Sequence, residues 1–397
     1  MRIALFDYSI TSQNPAGSCH LALLRSLARE HSFTVFSVEF DNPDPERIIW
    51  IRVRVPKRPL ALLFLSFHLV APLLYLWHRL TKRTSFDLIQ SVESNLAFGE
   101  LIYAHFSHTT YLRTDHAVPT GLRQWWRWLD HTLHAIAEPF RFSIAKYIVV
   151  PSRGLKRDLQ SDFGVEEDKI SVISNPISVD NLPRPECFDR GAFRSNIGLD
   201  SSDVVCVFCA LGHFERKGLP QLLEALRSPV LNSLKVLVIG GNEGLIKAYS
   251  ARASHLRVDS KMRFLGFQHD VRPFLWSADA FILPSSYETF SLAAYEAAAA
   301  GLPVIAPALN GICDLLVDGQ TGFVIEPSVA SITHGLERLL QTPPDERMAI
   351  GARAQEIASS YSIDRFIESW RMLYQHWPPY AGKFPTPTPE RVPPACQ

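Results

Sequence analysis

The sequence predicts an α/β protein made of two doubly wound, Rossmann-like domains. Its 397 residues exceed what one hydrophobic core usually serves, and 47% of them are hydrophobic while 20% are charged. Strand-like and helix-like segments alternate in both halves, which is typical of parallel sheets covered by helices. Between the halves, Ile177–Cys187 contains Pro183 and Pro185, and this composition favours a linker.

The first half begins with a predicted strand at Arg2–Asp7, a loop at Ser9–Ser18 and a helix at His20–Glu30. A long helical run rich in Trp, Arg and His is predicted at Leu122–Ala145. The remaining strands of this half are predicted at Thr34–Phe40, Phe86–Gln90, Leu101–His105, Tyr147–Val150 and Lys169–Ser174.

The second half shows the same alternation. Its predicted strands are Val204–Leu211, Leu234–Ile239, Met262–Leu265, Ala278–Leu283 and Val304–Ala306. Its predicted helices are Gly218–Leu226, Leu245–His255, Val271–Trp276, Phe290–Ala300 and Tyr361–Trp377. We expect a first domain at residues 1–180 and a second at 181–360, with the helix at 361–377 packing back on the first. The proline-rich residues 378–397 are expected to be disordered.

Charge and cysteine usage argue against several classes of protein. The 40 basic and 40 acidic residues cancel, so no global positive excess is available to bind nucleic acid. Cys206 and Cys209 lie in a predicted buried strand, which favours core packing over a redox or metal site. Met1 and Arg2 lead directly into a predicted strand at Ile3–Phe6 and not into the long apolar segment of a signal peptide. We therefore expect the protein to reside in the reducing cytoplasm.

The segment Leu60–Trp77 has 18 residues without a formal charge and is flanked by basic residues on both sides. This length just reaches that of a transmembrane helix. Three interpretations stay open: a membrane span, an ordinary buried helix, and a surface helix that also docks on an anionic membrane. A span would interrupt the α/β unit that continues at Phe86–Ser91, which argues against it.

Four segments resemble the retaining glycosyltransferases of family 4, which have the GT-B fold. In chain order these are KISVISNP at Lys169–Pro176, GHFERKGLPQLLEA at Gly212–Ala225, SSYETFSLAAYEAAAAG at Ser285–Gly301 and LPVIAPALNGICDLLVDGQTGFV at Leu302–Val324. They span most of residues 150–340, whereas the first half is similar only in its layout. The resemblance implies two domains that face a central cleft, with the donor site in the second.

Arg216, Lys217 and Gly218 are predicted to bind the diphosphate of a nucleotide donor. They lie where a loop after a strand enters a helix, and two cations beside a helix N-terminus make an anion site. A solvated basic turn is the alternative. Family members often carry an arginine where this chain has Leu211, and we expect Arg216 to replace it. Lys247 is a second candidate, with an exposed helical lysine as the alternative.

Glu288 and Glu296 are predicted to grip the donor. Glu288 lies in a loop and Glu296 in the following helix, so both carboxylates can reach one ligand. By resemblance, Glu288 is one of the catalytic groups and accepts hydrogen bonds from the transferred sugar. Glu296 accepts hydrogen bonds from the ribose. The amides of Thr289, Phe290 and Ser291 are expected to bind the distal phosphate. Two surface glutamates on an alanine-rich helix are the alternative.

By resemblance, the backbone of Gly266 and Phe267 binds the edge of the nucleotide base. UDP is the default nucleotide, with GDP and ADP as alternatives. The family often places a histidine or an aspartate beside the reacting sugar, where this chain has His105 and His108. His105 fits best and His108 second, and a structural histidine is the alternative for either.

The loop that contains Gly17 resembles the glycine loop at which the acceptor approaches the diphosphate, although an ordinary loop is the alternative. The resulting prediction is an enzyme that moves a sugar from a nucleotide-sugar donor to a lipid-linked or polysaccharide acceptor, with retention of configuration. Its expected role is cell-surface glycan or lipopolysaccharide biosynthesis in the cytoplasm, with an anionic membrane surface as a further partner.

Two negative expectations complete the prediction. We see no well-placed carboxylate nucleophile, so the departing phosphate is expected to assist deprotonation of the acceptor. No D-x-D motif is placed after a strand except within Asp41–Asp44, which resembles a turn, so no divalent metal or other cofactor is expected. The alternative functions are a GT-B epimerase and a non-catalytic nucleotide-sugar-binding scaffold.

Overall fold

The computed structural model describes residues 1–114 and 121–378, which form two compact units. Unit 1 contains residues 1–176 together with 363–378, and unit 2 contains residues 177–362. Each unit has a parallel β-sheet connected by helices, so the predicted α/β class is confirmed. Of the tail that was predicted to be disordered, all but Pro378 lies outside the described residues.

Unit 1 is built on a seven-stranded parallel sheet with the spatial order β5-β3-β1-β6-β7-β8-β9, and a short parallel pair of β2 and β4 lies apart from it. The strands are β1 (Arg2–Phe6), β2 (Ser9–Ile10), β3 (Ser32–Ser37), β4 (Glu39–Phe40), β5 (Ile49–Arg52), β6 (Leu88–Val92), β7 (Leu101–Tyr103), β8 (Tyr147–Val150) and β9 (Ile170–Val172). The first helices are α1 (Pro15–Leu27), α2 (Leu60–Lys82), α3 (His108–Thr114), α4 (Leu122–Ile144) and α5 (Arg153–Phe163).

Unit 2 is built on a six-stranded parallel sheet with the spatial order β12-β11-β10-β13-β14-β15. Its strands are β10 (Val204–Cys209), β11 (Leu234–Ile239), β12 (Met262–Gly266), β13 (Ala280–Ile282), β14 (Val304–Ala306) and β15 (Gly322–Val324). Its helices are α6 (Arg190–Asn196), α7 (Leu219–Ala225), α8 (Glu243–His255), α9 (Arg272–Ser277), α10 (Leu292–Ala299), α11 (Val329–Gln341) and α12 (Pro344–Ser359).

The last helix, α13 (Ile363–Gln375), belongs to unit 1 and packs against α1. Trp370 is fully buried there, and its ring meets the Tyr103 ring edge-on with centroids 5.0 Å apart. The Tyr374 hydroxyl donates to the side-chain oxygen of Gln90 at 2.7 Å. Burial of these large aromatic side chains stabilises the return of the chain to the first unit.

Helix α1 begins earlier than the sequence indicated, and this changes the place of Gly17. The Asn14 side chain accepts a hydrogen bond from the Ala16 amide at 3.2 Å, and Pro15 occupies the first turn, so the helix starts at Pro15. Gly17 therefore lies in a helical turn and not in an open acceptor loop. A Cβ at Gly17 would lie 2.6 Å from the Ser9 carbonyl oxygen, so close packing accounts for the glycine.

Helix α2 agrees with the predicted helical segment but not with an ordinary buried helix. Leu63, Phe67 and Ala71 pack into the core of unit 1, whereas Leu69 and Leu73 on the other side are exposed. Within residues 1–114 and 121–378, α2 is the one helix long and apolar enough to cross a membrane. The interpretation as a fully buried helix is wrong for its outward half.

Some elements gave no clear sequence signal. Strand β5 is short, lies at the sheet edge and is largely exposed, so it lacks the apolar alternation of a buried strand. Helix α10 begins after Ser291, two residues later than predicted, and the ring of Phe290 before it stacks on the Tyr295 ring with centroids 4.4 Å apart.

The turn into α7 depends on a close approach to the chain after β13. Gly218 caps α7 in the left-handed region, with φ of 78°. A Cβ there would lie 2.0 Å from the Pro284 carbonyl oxygen. The absence of a side chain at Gly218 therefore makes room for the backbone at Pro284.

We expect Gly218→Ala to destabilise the protein by about 2–4 kcal/mol, since the new methyl group would meet a backbone carbonyl and the alanine would adopt an unfavourable φ. Gly212→Ala in the same loop is the matched control, because a Cβ there would meet nothing within 4 Å. Urea unfolding of both variants measures the difference. Equal destabilisation by the two substitutions would contradict the close approach to Pro284.

Candidate functional site

The carboxyl ends of β10 and β13 bring together the two segments that the sequence singled out. The strands pair in parallel, with Cys206 opposite Ala280, so the chain leaves both at the same edge of the sheet. After β10 the chain turns through Arg216–Gly218 into α7, and after β13 it runs through Pro284–Ser291 into α10. This edge is the candidate site of unit 2.

A buried ion pair joins these two segments. Lys217 Nζ lies 2.5 Å from Glu288 Oε1, and the Ser285 hydroxyl donates to the same oxygen at 2.6 Å. Glu288 is only 5% exposed, and a carboxylate buried to this extent requires charged or polar partners. Lys217 and Glu288, which were predicted to bind different parts of a donor, therefore also contact each other.

Arg216 holds the two loops together through its backbone and its side chain. Its carbonyl oxygen accepts from the Ser286 amide at 2.9 Å, and its guanidinium donates to the Tyr287 carbonyl oxygen at 3.2 Å. Leu211, at the position where relatives often carry arginine, has an exposed uncharged side chain. The half-buried guanidinium of Arg216 therefore supplies positive charge beside Lys217.

Glu296 in α10 is the unsatisfied carboxylate of the site. It is half-buried, and it forms no hydrogen bond or ion pair with any residue in the ranges 1–114 and 121–378. Burial raises the pKa of its carboxyl group from 4.5 to about 7. Burial also raises the pKa of the Cys209 thiol to about 12, with Glu296 adding to this shift and Lys217 opposing it. The carboxyl group of Glu296 and the ammonium group of Lys217 therefore both act on the Cys209 thiol at the end of β10.

The backbone of Thr289, Phe290 and Ser291 borders the N-terminus of α10 and lies against the loop that contains Gly311. A Cβ at Gly311 would lie 2.8 Å from the Thr289 carbonyl oxygen, and the Tyr295 hydroxyl donates to the Gly311 carbonyl oxygen at 2.6 Å. The loop that contains Gly311 is thus packed against the segment that follows Glu288 in the chain.

Gly266 ends β12 and Phe267 follows it, while Lys247 lies in α8 after the neighbouring strand β11. The Gly266 carbonyl oxygen accepts from the Gly240 amide at 2.7 Å, and the Phe267 side chain is 53% exposed. Lys247 is exposed on α8 and forms no ion pair among the residues that the structure describes. Within residues 1–114 and 121–378, no polar contact joins these three residues to Lys217, so their predicted roles toward base and diphosphate stay predictions.

His105 lies just beyond β7 in unit 1 and is buried. Its ring packs on the Tyr103 ring with centroids 3.9 Å apart and lies 6.4 Å from the His20 ring, which in turn contacts Asp7 Oδ2 at 3.1 Å. Burial, with a smaller contribution from His20, lowers the pKa of His105 to about 3. His105 is therefore a neutral imidazole, which can donate one hydrogen bond and accept another.

His108 is the first residue of α3, and Glu138 from α4 holds it there. The amides of His108 and Thr109 donate to the two carboxylate oxygens of Glu138 at 2.6 and 2.9 Å. A carboxylate at a helix N-terminus satisfies amides that the helix leaves unpaired. The His108 ring stacks on the His134 ring at 4.2 Å, and its Nδ1 lies 2.9 Å from that of His131.

Among the residues that the structure describes, Glu93, His108 and His134 form a group that could hold a metal ion. One ligand atom from each lies within 4.8 Å of the others, and mixed imidazole and carboxylate ligands suit a transition metal such as zinc. Asp130 adjoins this group, and burial raises the pKa of its carboxyl to about 6, with His108 opposing and Glu93 adding to the shift.

Sequence reasoning missed this cluster, although part of its signal was available. His131, His134 and Glu138 follow one another at helical spacings of three and four residues, which place them on one face of α4. Glu93 gave no comparable signal, because it reaches the cluster from the end of β6 through the fold of the sheet.

Two family models match the chain, one in each half. The model described as Glycosyltransferase Family 4 matches residues 17–181, and the one described as Glycosyl transferases group 1 matches residues 195–357. A relative, the uncharacterized glycosyltransferase MJ1607 of Methanocaldococcus jannaschii, is 25% identical over 361 residues, which cover 87% of this chain and 90% of that protein.

Solved structures with the same fold cover nearly the whole chain. WaaG, a glycosyltransferase involved in lipopolysaccharide biosynthesis, aligns with a TM-score of 0.73 at 18% identity, over 93% of this chain and 98% of that one. Anabaena HepE in complex with UDP-glucose aligns with a TM-score of 0.69 at 18% identity, over 94% and 99%. At these identities the likeness is one of fold, and the predicted GT-B fold is confirmed.

The raised pKa of Glu296 predicts a dependence of stability on pH. The unfolded chain ionises this group near 4.5 and the folded chain near 7, so the free energy of unfolding falls as pH rises through this window. We expect the free energy of unfolding of Glu296→Gln, taken relative to that of the parent protein, to rise by about 2–3 kcal/mol from pH 5 to pH 8. Urea unfolding at both pH values measures this gain.

Glu243→Gln is the control, because Glu243 is an exposed glutamate in the same unit. Its stability should follow that of the parent protein within about 0.5 kcal/mol at both pH values. If the Glu296→Gln profile ran parallel to that of the parent, the carboxyl group would not be desolvated as described.

Proposed function

We propose that this chain, which belongs to the group 1 glycosyltransferases of family 4 and has the GT-B fold, transfers a sugar from a nucleotide-sugar donor to an acceptor hydroxyl with retention of configuration. The observation that carries the proposal is the edge of the second sheet, which holds the Lys217–Glu288 pair and where both Lys217 and the carboxyl group of Glu296 act on Cys209 at the end of β10. Cations for a diphosphate and acceptors for sugar hydroxyls are the groups that a nucleotide sugar requires.

In the proposed reaction, the bond from the anomeric carbon to the phosphate oxygen breaks while the bond to the acceptor oxygen forms on the same face. The acceptor proton passes to the departing phosphate, so no carboxylate nucleophile is needed. Arg216 and Lys217, with the backbone at Gly218 and at Thr289–Ser291, stabilise the growing charge on the diphosphate. Lys247 is a second cation for this anion.

Glu288 and Glu296 bind and orient the donor in this proposal. The Glu288 oxygens accept hydrogen bonds from hydroxyls of the transferred sugar, and Glu296 accepts them from the ribose. Gly266 and Phe267 contact the base. We favour UDP as the nucleotide, in line with the UDP-glucose bound by HepE, and calorimetry with UDP, GDP and ADP tests this choice.

On the acceptor side, we propose His105 or His108 as the group that acts on the reacting sugar. His105 offers a neutral imidazole, and His108 offers an imidazole next to Glu93, at 3.5 Å from its carboxylate. The proposed acceptor is a lipid-linked or polysaccharide glycan in cell-surface biosynthesis, and the proposed location is the cytoplasm. The role of WaaG in lipopolysaccharide biosynthesis supports this acceptor class.

We expect Lys217→Ala and Glu288→Ala each to lower kcat/KM for hydrolysis of the donor by about 100-fold or more, since the first removes a cation that stabilises the departing diphosphate and the second removes the carboxylate that orients the transferred sugar. The measurement is nucleotide release from a panel of nucleotide sugars. Lys235→Ala is the control, because that ammonium group donates to a surface carbonyl at Ser260 and should leave the rate unchanged.

Stability separates a catalytic loss from misfolding. Each single variant leaves one buried charge without its partner, whereas the double variant Lys217→Ala/Glu288→Ala removes both charges. The double variant should therefore recover stability without recovering activity. If the parent chain binds nucleotide but releases none from any nucleotide sugar of the panel, the result would favour a non-catalytic scaffold instead.

We also propose that transfer needs no divalent metal, because Arg216 and Lys217 supply the positive charge for the diphosphate. Donor hydrolysis by the purified chain should be unchanged by excess EDTA. The opposite result would be donor hydrolysis that EDTA abolishes, that Zn²⁺ or Mn²⁺ restores and that His134→Ala lacks. That result would assign a metal to the group formed by Glu93, His108 and His134.

A further inference from the structure

Helix α4 has the opposite polarity from that of an ordinary surface helix. Its inward side carries the charged and polar residues Asp130, His134, Glu138 and Arg141, all of them buried. Its outward side carries the exposed apolar residues Leu122, Trp125, Ile136, Phe140 and Ile144. In a water-facing helix the apolar stripe points to the core, so this arrangement needs something other than water outside the helix.

Helix α2 adds a second apolar stripe that faces outward. Its exposed leucines follow helical spacings of three and four residues, at Leu62, Leu65, Leu69, Leu73, Leu76 and Leu80. Leu69 is 70% exposed although its helix already buries another apolar face in the core. A helix that is apolar on both sides matches two apolar environments, and the protein core supplies one of them.

The two stripes belong to one surface, because α2 and α4 pack against each other. The Phe64 ring on α2 contacts the His134 ring on α4 with centroids 4.5 Å apart. We call the outward sides of these two helices the α2–α4 face. Each helix has 23 residues, so the face is far larger than the isolated exposed apolar residues of an ordinary protein surface.

The charges of the α2–α4 face have one sign. Arg79 and Lys82 on α2 and Arg123 and Arg127 on α4 are exposed, and none forms an ion pair within residues 1–114 and 121–378. Helix α2 contains no acidic residue, and both acidic residues of α4 are buried on its inward side. The face therefore combines exposed leucines with unpaired positive charge.

Three exposed tryptophans mark one end of this face. Trp125, Trp126 and Trp128 lie in the first two turns of α4, interleaved with Arg123 and Arg127. Indole rings favour the boundary between headgroups and acyl chains, and arginines beside them reach anionic phosphates. This combination is that of a helix lying in the plane of a membrane interface.

We propose that the α2–α4 face docks on an anionic lipid bilayer, with both helices lying in the headgroup region and their outward side chains entering the acyl chains. A spanning α2 is disfavoured, because Leu63, Phe67 and Ala71 would leave the core of unit 1. A second copy of the chain is disfavoured, because a symmetric contact would place these unpaired basic residues against each other. Docking is a property separate from sugar transfer, so each has its own measurement.

The test is binding of the full chain to vesicles, measured by co-sedimentation and tryptophan fluorescence. We expect the chain to bind vesicles of phosphatidylcholine mixed with phosphatidylglycerol more tightly than vesicles of phosphatidylcholine alone. Leu69→Glu/Leu73→Glu on α2 and Ile136→Glu/Phe140→Glu on α4 should each weaken binding at least about tenfold. Since two separate helices are altered, failure of one variant to fold leaves the other as the test.

The matched control is Val230→Glu/Met348→Glu, which places the same charges at exposed apolar positions of unit 2 and should bind like the parent chain. Arg123→Gln/Arg127→Gln should reduce the preference for phosphatidylglycerol by about fivefold for each arginine removed. Equal binding by the parent chain and both glutamate variants, or no binding by the parent chain, would overturn the proposal.

Two further measurements complete the design. Light scattering that shows a dimer of the parent chain, lost in Leu69→Glu/Leu73→Glu, together with no vesicle binding would assign the face to a second copy. Release of nucleotide from a water-soluble donor should be the same in the parent chain and in both glutamate variants. Vesicle binding without nucleotide release would refute the proposed function alone, and release without vesicle binding would refute the docking alone.

Discussion

The parallel pairing of β10 with β13 is the constraint on which the candidate site depends. Neighbouring parallel strands release the chain at one edge of the sheet, so the loops after these two strands must meet there. They meet closely enough that Gly218 leaves no room for a Cβ beside Pro284. In this register Lys217 reaches Glu288, and the ion pair places positive charge and carboxylate oxygens in one small volume.

The parts of this site that the sequence predicted are those with local signals. Arg216–Gly218 and Glu288–Glu296 each lie at a turn from strand to helix, which residue pattern and spacing reveal. The contact between Lys217 and Glu288 depends on strand order, which spacing does not contain. Gly17 was misplaced for a related reason, since the cap at Asn14 and the packing on Ser9 moved the start of α1.

Helix α4 shows a different limit of sequence reasoning. A helix rich in Trp, Arg and His was predicted at Leu122–Ala145, but its composition does not say which face turns inward. The usual rule would bury Trp125, Ile136 and Phe140 and expose the polar side. The fold does the reverse, because the carboxylate of Glu138 binds the N-terminus of α3. Polar contacts within unit 1 thus determine the orientation of the helix.

Glu288 and Glu296 lie in one short segment, but the fold surrounds their carboxyl groups differently. Glu288 is buried but has an ammonium group and a hydroxyl group within hydrogen-bonding distance, so its charge is compensated inside the chain. Glu296 is desolvated without a described partner, so its ionisation lowers the stability of the folded chain at neutral pH. The difference lies in their surroundings, because Lys217 and Ser285 contact Glu288 whereas burial alone acts on the carboxyl group of Glu296. Because perturbed carboxyl groups in proteins cluster at functional positions, this difference favours Glu296 as a candidate ligand-binding residue, as proposed above.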